Sequence, residues 1–221
     1  MIAEELINHL IPSLKPTDKA QKAIVWMEEL RTNQLPVIDK GEFKGLISEE
    51  IIFESNDINK TVGDFQLFAE DCYVYDYQHF FDVIKLSNEY KVEIVAVLDE
   101  YKRYMGVIAL SDTLSALAQT AAIQSAGGII VLFMNQHDYS MAEIGRLIES
   151  DNAKILSSFV TPDMMDPGKI KLTLKVNKSD LSRIIATLER FNYRVIAKFQ
   201  HPTMITNEKE RIDLLMKYLN I

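Results

Sequence analysis

Gln34-Leu35-Pro36-Val37-Ile38-Asp39-Lys40-Gly41-Glu42-Phe43-Lys44-Gly45-Leu46-Ile47-Ser48 decides the reading of this chain. Its pattern returns about sixty residues on, as Glu93-Ile94-Val95-Ala96-Val97-Leu98-Asp99 and then Gly106-Val107-Ile108-Ala109. Each copy is a short apolar strand ending in Asp, a polar turn, and a second apolar strand opened by Gly, the pattern of a hairpin. The register extends upstream. Ala20, Ala23, Ile24, Met27 and Leu30 fall on one helical face, and Phe80, Val83, Ile84, Ser87 and Tyr90 take the equivalent places in the second copy. One residue is gained in the second turn, so this is a duplicated unit of strand or turn, helix, strand, strand, helix.

The flanking elements follow from local chemistry. Ile2, Leu6, Ile7 and Leu10 predict a short amphipathic helix over residues 1–10, ended by Pro12 and Pro16. Thr17 and Asp18 are the expected start of the next helix, with Gln21 completing a capping box. Asp76 is the expected cap in the second copy, and Ser111-Asp112 the expected start of the helix that closes it. Ser125-Ala126-Gly127-Gly128 read as a hinge. Beyond them the pattern changes to strand (129–134), a loop at Asn135 to Tyr139, a helix capped by Ser140 with Glu143 at its third position, strand (153–160), a proline-rich loop, an alternating strand from Ile170 to Val176, a helix and a last strand (193–199). That order is the split βαβ plan of a ferredoxin-like domain. A final amphipathic helix is expected over 207–219, with Ile212, Leu215, Met216 and Leu219 as its stripe. The expected class is α+β, divided into a tandem pair at 1–124 (copies near 5–54 and 70–122), a hinge at 125–128, a ferredoxin-like domain at 128–200 and a C-terminal helix at 201–221.

Composition narrows the function. The formal charge is −8 and the pI about 5.1, with no basic run, which argues against nucleic-acid binding as the main task. One cysteine, Cys72, excludes an internal disulfide and a thiolate metal site. His9, His79, His137 and His201 fall in no metal-ligand spacing, and His137-Asp138 has no serine or cysteine nucleophile at recognisable spacing. No catalytic residue and no metal is expected. No stretch approaches the roughly eighteen consecutive apolar residues of a membrane span, and no secretory leader is visible, so a cytoplasmic protein off the membrane is expected.

Leu35-Pro36-Val37-Ile38-Asp39, the turn, and Gly45-Leu46-Ile47-Ser48 behind their helix resemble the CBS motif, named for the cystathionine-β-synthase domain, over about residues 5–122. Residues 128–200 resemble an ACT domain, a ferredoxin-like regulatory domain. The combination is similar to the organisation of bacterial acetoin-utilisation-type regulatory proteins. The resemblance implies a non-enzymatic regulator, a homodimer, a small-molecule effector, an unidentified protein target, and clefts between paired sheets that take an adenine nucleotide such as AMP or ATP, with no resident cofactor. The family pattern for that ligand is a glycine, two apolar residues, Ser or Thr, two spacers and Asp: a hydroxyl beside free helix amides for phosphate, a carboxylate for the ribose hydroxyls. Each copy here keeps half of it. Ser48 supplies the hydroxyl but Ile51 stands at the Asp position, while Asp112 supplies the carboxylate but Ala109 stands at the hydroxyl position. The residues alone are equally those of two helix starts. Val37, Ile47, Val97 and Ile108 would wall the clefts, or equally fill a sheet core. In the ACT-like loop Asp138 and Ser140 would be the ligand groups, although Asp138-Tyr139-Ser140 lacks the family's glycine; a turn and a serine cap is the other reading.

Overall fold

The computed structural model describes residues 1–55 and 57–200, so the helix expected at 207–219 lies outside the described residues. The chain divides into two compact units between Gln119 and Thr120.

The first unit is built twice over. Helices α1 (Ala20–Leu30) and α3 (Phe80–Tyr90) have the same length sixty residues apart, and each ends on a left-handed residue, Arg31 at φ 54° and Lys91 at φ 56°. The hairpins β1 (Gln34–Asp39) with β2 (Glu42–Ser48) and β4 (Ile94–Leu98) with β5 (Tyr104–Ala109) are antiparallel, and their registers slip at equivalent places, Val37/Ile38 and Val97/Leu98. A bulge is an inheritable device, and its repetition makes the duplication visible in the backbone. Each hairpin runs into a helix, α2 (Glu49–Glu54) or α4 (Leu110–Ala118). The second copy adds a short strand β3 (Tyr73–Tyr75), parallel to β4; the first has a single parallel bridge there, Leu14 to Val37.

The segments between these elements exchange partners. Residues 61 and 68 bridge to Lys19 and Leu46 of the first copy, whereas Ile2 and Asn8 bridge to His79 and Val107 of the second. This corrects the helix expected over residues 1–10, of which only a 3-10 turn at Ala3–Leu6 forms. The Ala3 and Glu4 amides donate to the Gln78 and Asp76 carbonyls at 2.8 and 3.0 Å, and the Asn8 amide to Val107 at 2.8 Å, so the backbone is spent on tertiary pairing. The expected caps are corrected too. Asp18 turns its carboxylate to the Lys15 amide (2.8 Å) and the Lys22 ammonium (2.9 Å) ahead of α1, whose cap position is Lys19. Asp76 accepts from its neighbour Tyr77, leaving His79 to cap α3 through Nδ1 and the Phe81 amide at 3.4 Å. Helix α4 starts at Leu110, with Ala109 as its cap position.

The second unit begins with a short helix α5 (Ala121–Gln124), then β6 (Gly128–Asn135), α6 (Met141–Ser150), β7 (Ile155–Pro162), β8 (Lys169–Val176), α7 (Ser182–Arg190) and β9 (Arg194–Phe199). Its four strands form one antiparallel sheet in the order β7-β8-β6-β9. Strict alternation puts Ile130, Leu132, Ile170, Leu172, Leu174 and Val176 against Ile144, Leu147, Ile148, Ile184 and Leu188 of the two helices. Burial of this kind contributes about 1.5–3 kcal/mol per large apolar side chain. The other face of the sheet is only partly buried. Strand β7 runs two residues further than the pattern suggested, to Pro162, which the sheet tolerates because β7 is an edge.

Candidate functional site

In the second copy, the Leu110 amide at the head of α4 donates to the Glu93 carbonyl at 2.8 Å, which docks the helix start against β4. Asp112 therefore sits in the first turn of α4, where the helix dipole favours a carboxylate. Its Oδ2 accepts from Asn8 Nδ2 at 2.8 Å, and Asn8 is itself fixed, its amide bonded to Val107 and its Oδ1 accepting from the Leu10 amide at 2.9 Å. Asn8 lines a cavity of about 480 Å³ together with Ile11, Arg31, Thr32, Glu93 and Ser111. Asp112 stands off the wall and is joined to it through Asn8. A ligand here would meet the Asn8 amide, already polarised by a carboxylate, and the Arg31 and Ser111 side chains, while the Thr32 hydroxyl is already given to the Gln34 carbonyl at 3.2 Å. Of these, only Asp112 was read from the sequence. Asn8 lies 104 residues from Asp112, and no local spacing could have paired them.

The equivalent place in the first copy is used differently. Ser48 caps α2, its Oγ accepting from the Ile51 amide at 3.3 Å, and the Glu49 amide donates to the Asn33 carbonyl. Gln34 Oε1 accepts from the Glu93 amide at 3.1 Å and ties the two copies together. Val37 and Ile47 meet in the core of the first copy, and Val97 and Ile108 in the core of the second; all four are completely buried.

The two hairpin turns also converge, around a cavity of about 560 Å³ lined by Lys40, Glu42, Lys44, Tyr101, Lys102 and Arg103. Two of its cations are paired: Lys44 with Glu42 at 2.6 Å and Arg103 with Asp99 at 2.6 Å.

In the second unit, Asp138 ends a 3-10 turn, accepts from Asn135 Nδ2 at 2.8 Å, and lines a cavity of about 580 Å³ with Phe133, Glu143, Lys169, Tyr193 and Arg194. Tyr193 donates its hydroxyl to Glu143 Oε2 at 3.0 Å, and burial together with that carboxylate pushes the phenol up to about 12. Ser140 is not on this wall. Its Oγ accepts from the Glu143 amide at 3.3 Å and caps α6, as expected; the expected capping-box role of Glu143 is replaced by its bond to Tyr193. Loss of such a cap costs about 1 kcal/mol, so Ser140→Ala should lower the unfolding free energy of this unit by about that much in a urea titration. Equal midpoints would show the cap to be idle.

Among the described residues no cluster of three or more His, Cys, Asp and Glu side chains is placed to hold a metal ion, and no helix is long and apolar enough to cross a membrane.

No family model matches the sequence. Among solved structures, the chain is similar to a CBS domain pair/ACT domain protein from Thermotoga maritima, at 22% identity over 54% of this chain and 98% of that one, with a TM-score of 0.50. It is also similar to the CBS-pair protein CBSX2 from Arabidopsis thaliana, at 21% identity over 53% and 94% of the two chains and a TM-score of 0.47. CBSX2 in complex with AMP matches at 20% identity, over 53% and 96%, with a TM-score of 0.46. At this identity the likeness to the Thermotoga protein speaks of fold alone. The chain is a mixed α+β protein whose structural neighbours are CBS-domain-pair proteins.

Proposed function

We propose that this protein is a non-enzymatic, cytoplasmic regulator that senses a small metabolite in the second-copy cleft and passes a change of shape to a protein partner. The ligand proposed is an adenosine-containing nucleotide, AMP or ATP in the first instance, bound without any resident cofactor. The second unit is proposed to be a ferredoxin-like domain of the ACT type that takes part in a homodimer, in the organisation of the acetoin-utilisation-type regulators. The observation that carries the reading is the roughly 480 Å³ cavity walled by Asn8, Arg31 and Thr32 with Asp112 behind Asn8. Ribose hydroxyls would have to meet Asn8 on the wall, with Asp112 acting through it by holding and polarising its amide, and Arg31 is a cation for phosphate. Regulation would follow from unequal affinity for two arrangements of the copies.

A thermal-shift series with AMP, ADP, ATP, S-adenosylmethionine, NAD and the amino acids tests this. A ligand at about one hundred times its dissociation constant stabilises the folded state by about 2.7 kcal/mol. The shift should vanish in Asp112→Ala and persist in Ser48→Ala, because Ser48 is occupied as a cap. A shift untouched by Asp112→Ala, or no shift with any compound, would sink the assignment of this cleft. The second reading, an assembly module with filled clefts, is favoured by the complete burial of Val37, Ile47, Val97 and Ile108. It predicts a dimer by light scattering and no ligand response.

A further inference from the structure

The face of the second unit's sheet that turns away from α6 and α7 has a composition that its register makes explicit. Opposed residues in an antiparallel pair point to the same side. Phe133 on β6 is flanked by Lys171 on β8 and Arg194 on β9; Val131 has Thr173 beside it and Phe159 beyond; Ile129 has Lys175 on one side and Phe199 on the other. Three phenyl rings and three cations thus share one surface, and Lys169 extends it next to Asn135. Phe159 and Phe199 are 56% and 60% exposed. The Phe133 ring has the Lys169 ammonium at 5.6 Å and the Arg194 guanidinium at 5.4 Å from its centroid.

We propose that this face binds single-stranded nucleic acid, with Phe133, Phe159 and Phe199 as stacking platforms and Lys171, Lys175 and Arg194 on the phosphates. Rings take bases of any sequence because every base has a π-face, and the alternating cations track a backbone. A four-stranded sheet with aromatic side chains on its open face is a known solution to this problem. Charge is distributed to match. Residues 1–119 hold eleven Lys and Arg against twenty-one Asp and Glu, and residues 120–221 hold thirteen against eleven, so a chain of net −8 has a second half at +2. Cations at every second or fourth position of β8, in Lys169-Ile170-Lys171-Leu172-Thr173-Leu174-Lys175, leave no basic run in the sequence yet line up on one face.

Acidic groups limit the affinity and set its salt dependence. Lys171 pairs with Asp163 and Lys169 with Asp166, each at 3.1 Å, and Asp138 and Glu143 lie in the cavity at the Phe133 end. The Lys169–Asp166 pair is exposed and weak, so phosphate oxygens would displace its carboxylate; Asp163 is only slightly exposed and also accepts from the Met165 and Asp166 amides, so it holds Lys171 more firmly and lowers the affinity there. Lys175 now donates to the Gly127 carbonyl at 3.2 Å, a bond it can exchange without unfolding anything.

Fluorescence anisotropy of the full chain with labelled single strands of about ten nucleotides, DNA and RNA, and with the matching duplex, tests the proposal. Single strands should bind at least about tenfold more tightly than duplex, with affinity falling between about 50 and 200 mM salt at a log–log slope near −2, as about three phosphate contacts require. Phe133→Ala should weaken binding about tenfold, and Lys175→Ala should weaken it on all sequences alike and flatten the slope. Neither side chain belongs to the core, and Phe159→Ala on the edge strand supplies a third variant should either fail to fold. Absence of binding at low salt, duplex binding as tight as single-strand binding, or affinities unmoved by the phenylalanine variants would overturn the proposal. So would light scattering showing that this face joins two copies of the chain, with Phe159→Lys dissociating them and no oligonucleotide bound. A failure of the nucleotide titrations at Asp112 would leave this surface untouched.

Discussion

Gly127→Ala should destabilise the second unit by about 3 kcal/mol or more. Gly127 has φ 152°, in a region L-residues rarely adopt, and a Cβ there would collide with the Val176 carbonyl oxygen while lying 2.9 Å from the Val176 carbonyl carbon and 3.1 Å from the Asn177 Cα. All three are backbone atoms, so no rotamer change gives relief. Val176 is fully buried and pairs with Gly128 at the end of the β6–β8 ladder, the central pair of the sheet. The added methyl therefore either prises that ladder open or forces the chain entering β6 off its path, and both outcomes fall among the mechanisms of severe single substitutions. Gly145→Ala is the matched control. Gly145 is inside α6 and a Cβ there meets nothing within 4 Å, so the substitution should stabilise by about 0.5–1 kcal/mol through the chain entropy that glycine loses on folding. Urea titrations of the two variants should displace the unfolding midpoint in opposite directions. Matching midpoints would mean that the Gly127 turn relaxes at no cost.

That contrast shows what was legible in the chain and what was not. The hairpins could be read because alternation and Gly punctuation are local, and the sixty-residue repeat could be read because duplication copies local patterns. The same reasoning fails on residues 1–10, where the apolar spacing of a helix is present but the amides pair with Gln78, Asp76 and Val107. It fails on Asp18 and Asp76 for a related reason: a carboxylate near a helix start has several amides within reach, and the turn ahead of each helix brings the nearer one. In the candidate cleft, Asp112 could be named because the CBS-like pattern places a carboxylate there, at a helix start that is itself local. Asn8, Arg31 and Thr32 come to the same cavity from elsewhere in the chain and bear no mutual spacing. Ser48 was recognised as a hydroxyl at a helix start, and the geometry assigns that hydroxyl to the Ile51 amide. The apolar strands are ambiguous in principle, since the types that line a cleft also fill a core, and the complete burial of Val37, Ile47, Val97 and Ile108 is a fact of packing that sequence periodicity does not contain.

Packing also fixes how the first unit should respond to alkali, and the expected loss there is as large as that at Gly127. Cys72 is completely buried, and that burial, with Glu89 adding to it, pushes its thiol from an ordinary 9.0 up to about 12. Tyr104 is raised as well, by burial, and its hydroxyl has no hydrogen-bond partner among the described residues. Both groups hold their protons more tightly folded than unfolded. Below the ordinary value of the thiol both states are protonated and stability is at its full value; above it the unfolded chain ionises first, so stability falls as pH rises toward 12. The slope for Cys72 alone is about 1.4 kcal/mol per pH unit, so about 2 kcal/mol should be gone by about pH 10.5, and Tyr104, whose phenol ionises near 10 when unfolded, adds somewhat less than about 1 kcal/mol more. Urea titrations at about pH 8 and pH 10.5 would measure this directly. Cys72→Ala should be less stable than the parent at the lower pH, because it leaves a small void, and should lose distinctly less on going to the higher one. Tyr104→Phe removes the unpartnered hydroxyl and should hold or gain up to about 1 kcal/mol at the lower pH. Its decline up to about pH 10.5 should be shallower than the parent's by somewhat less than about 1 kcal/mol, since the unfolded phenol is already largely ionised there while the folded one is not. Parallel declines in the parent and Cys72→Ala would show that the thiol ionises alike in both states, and would place Cys72 within reach of water.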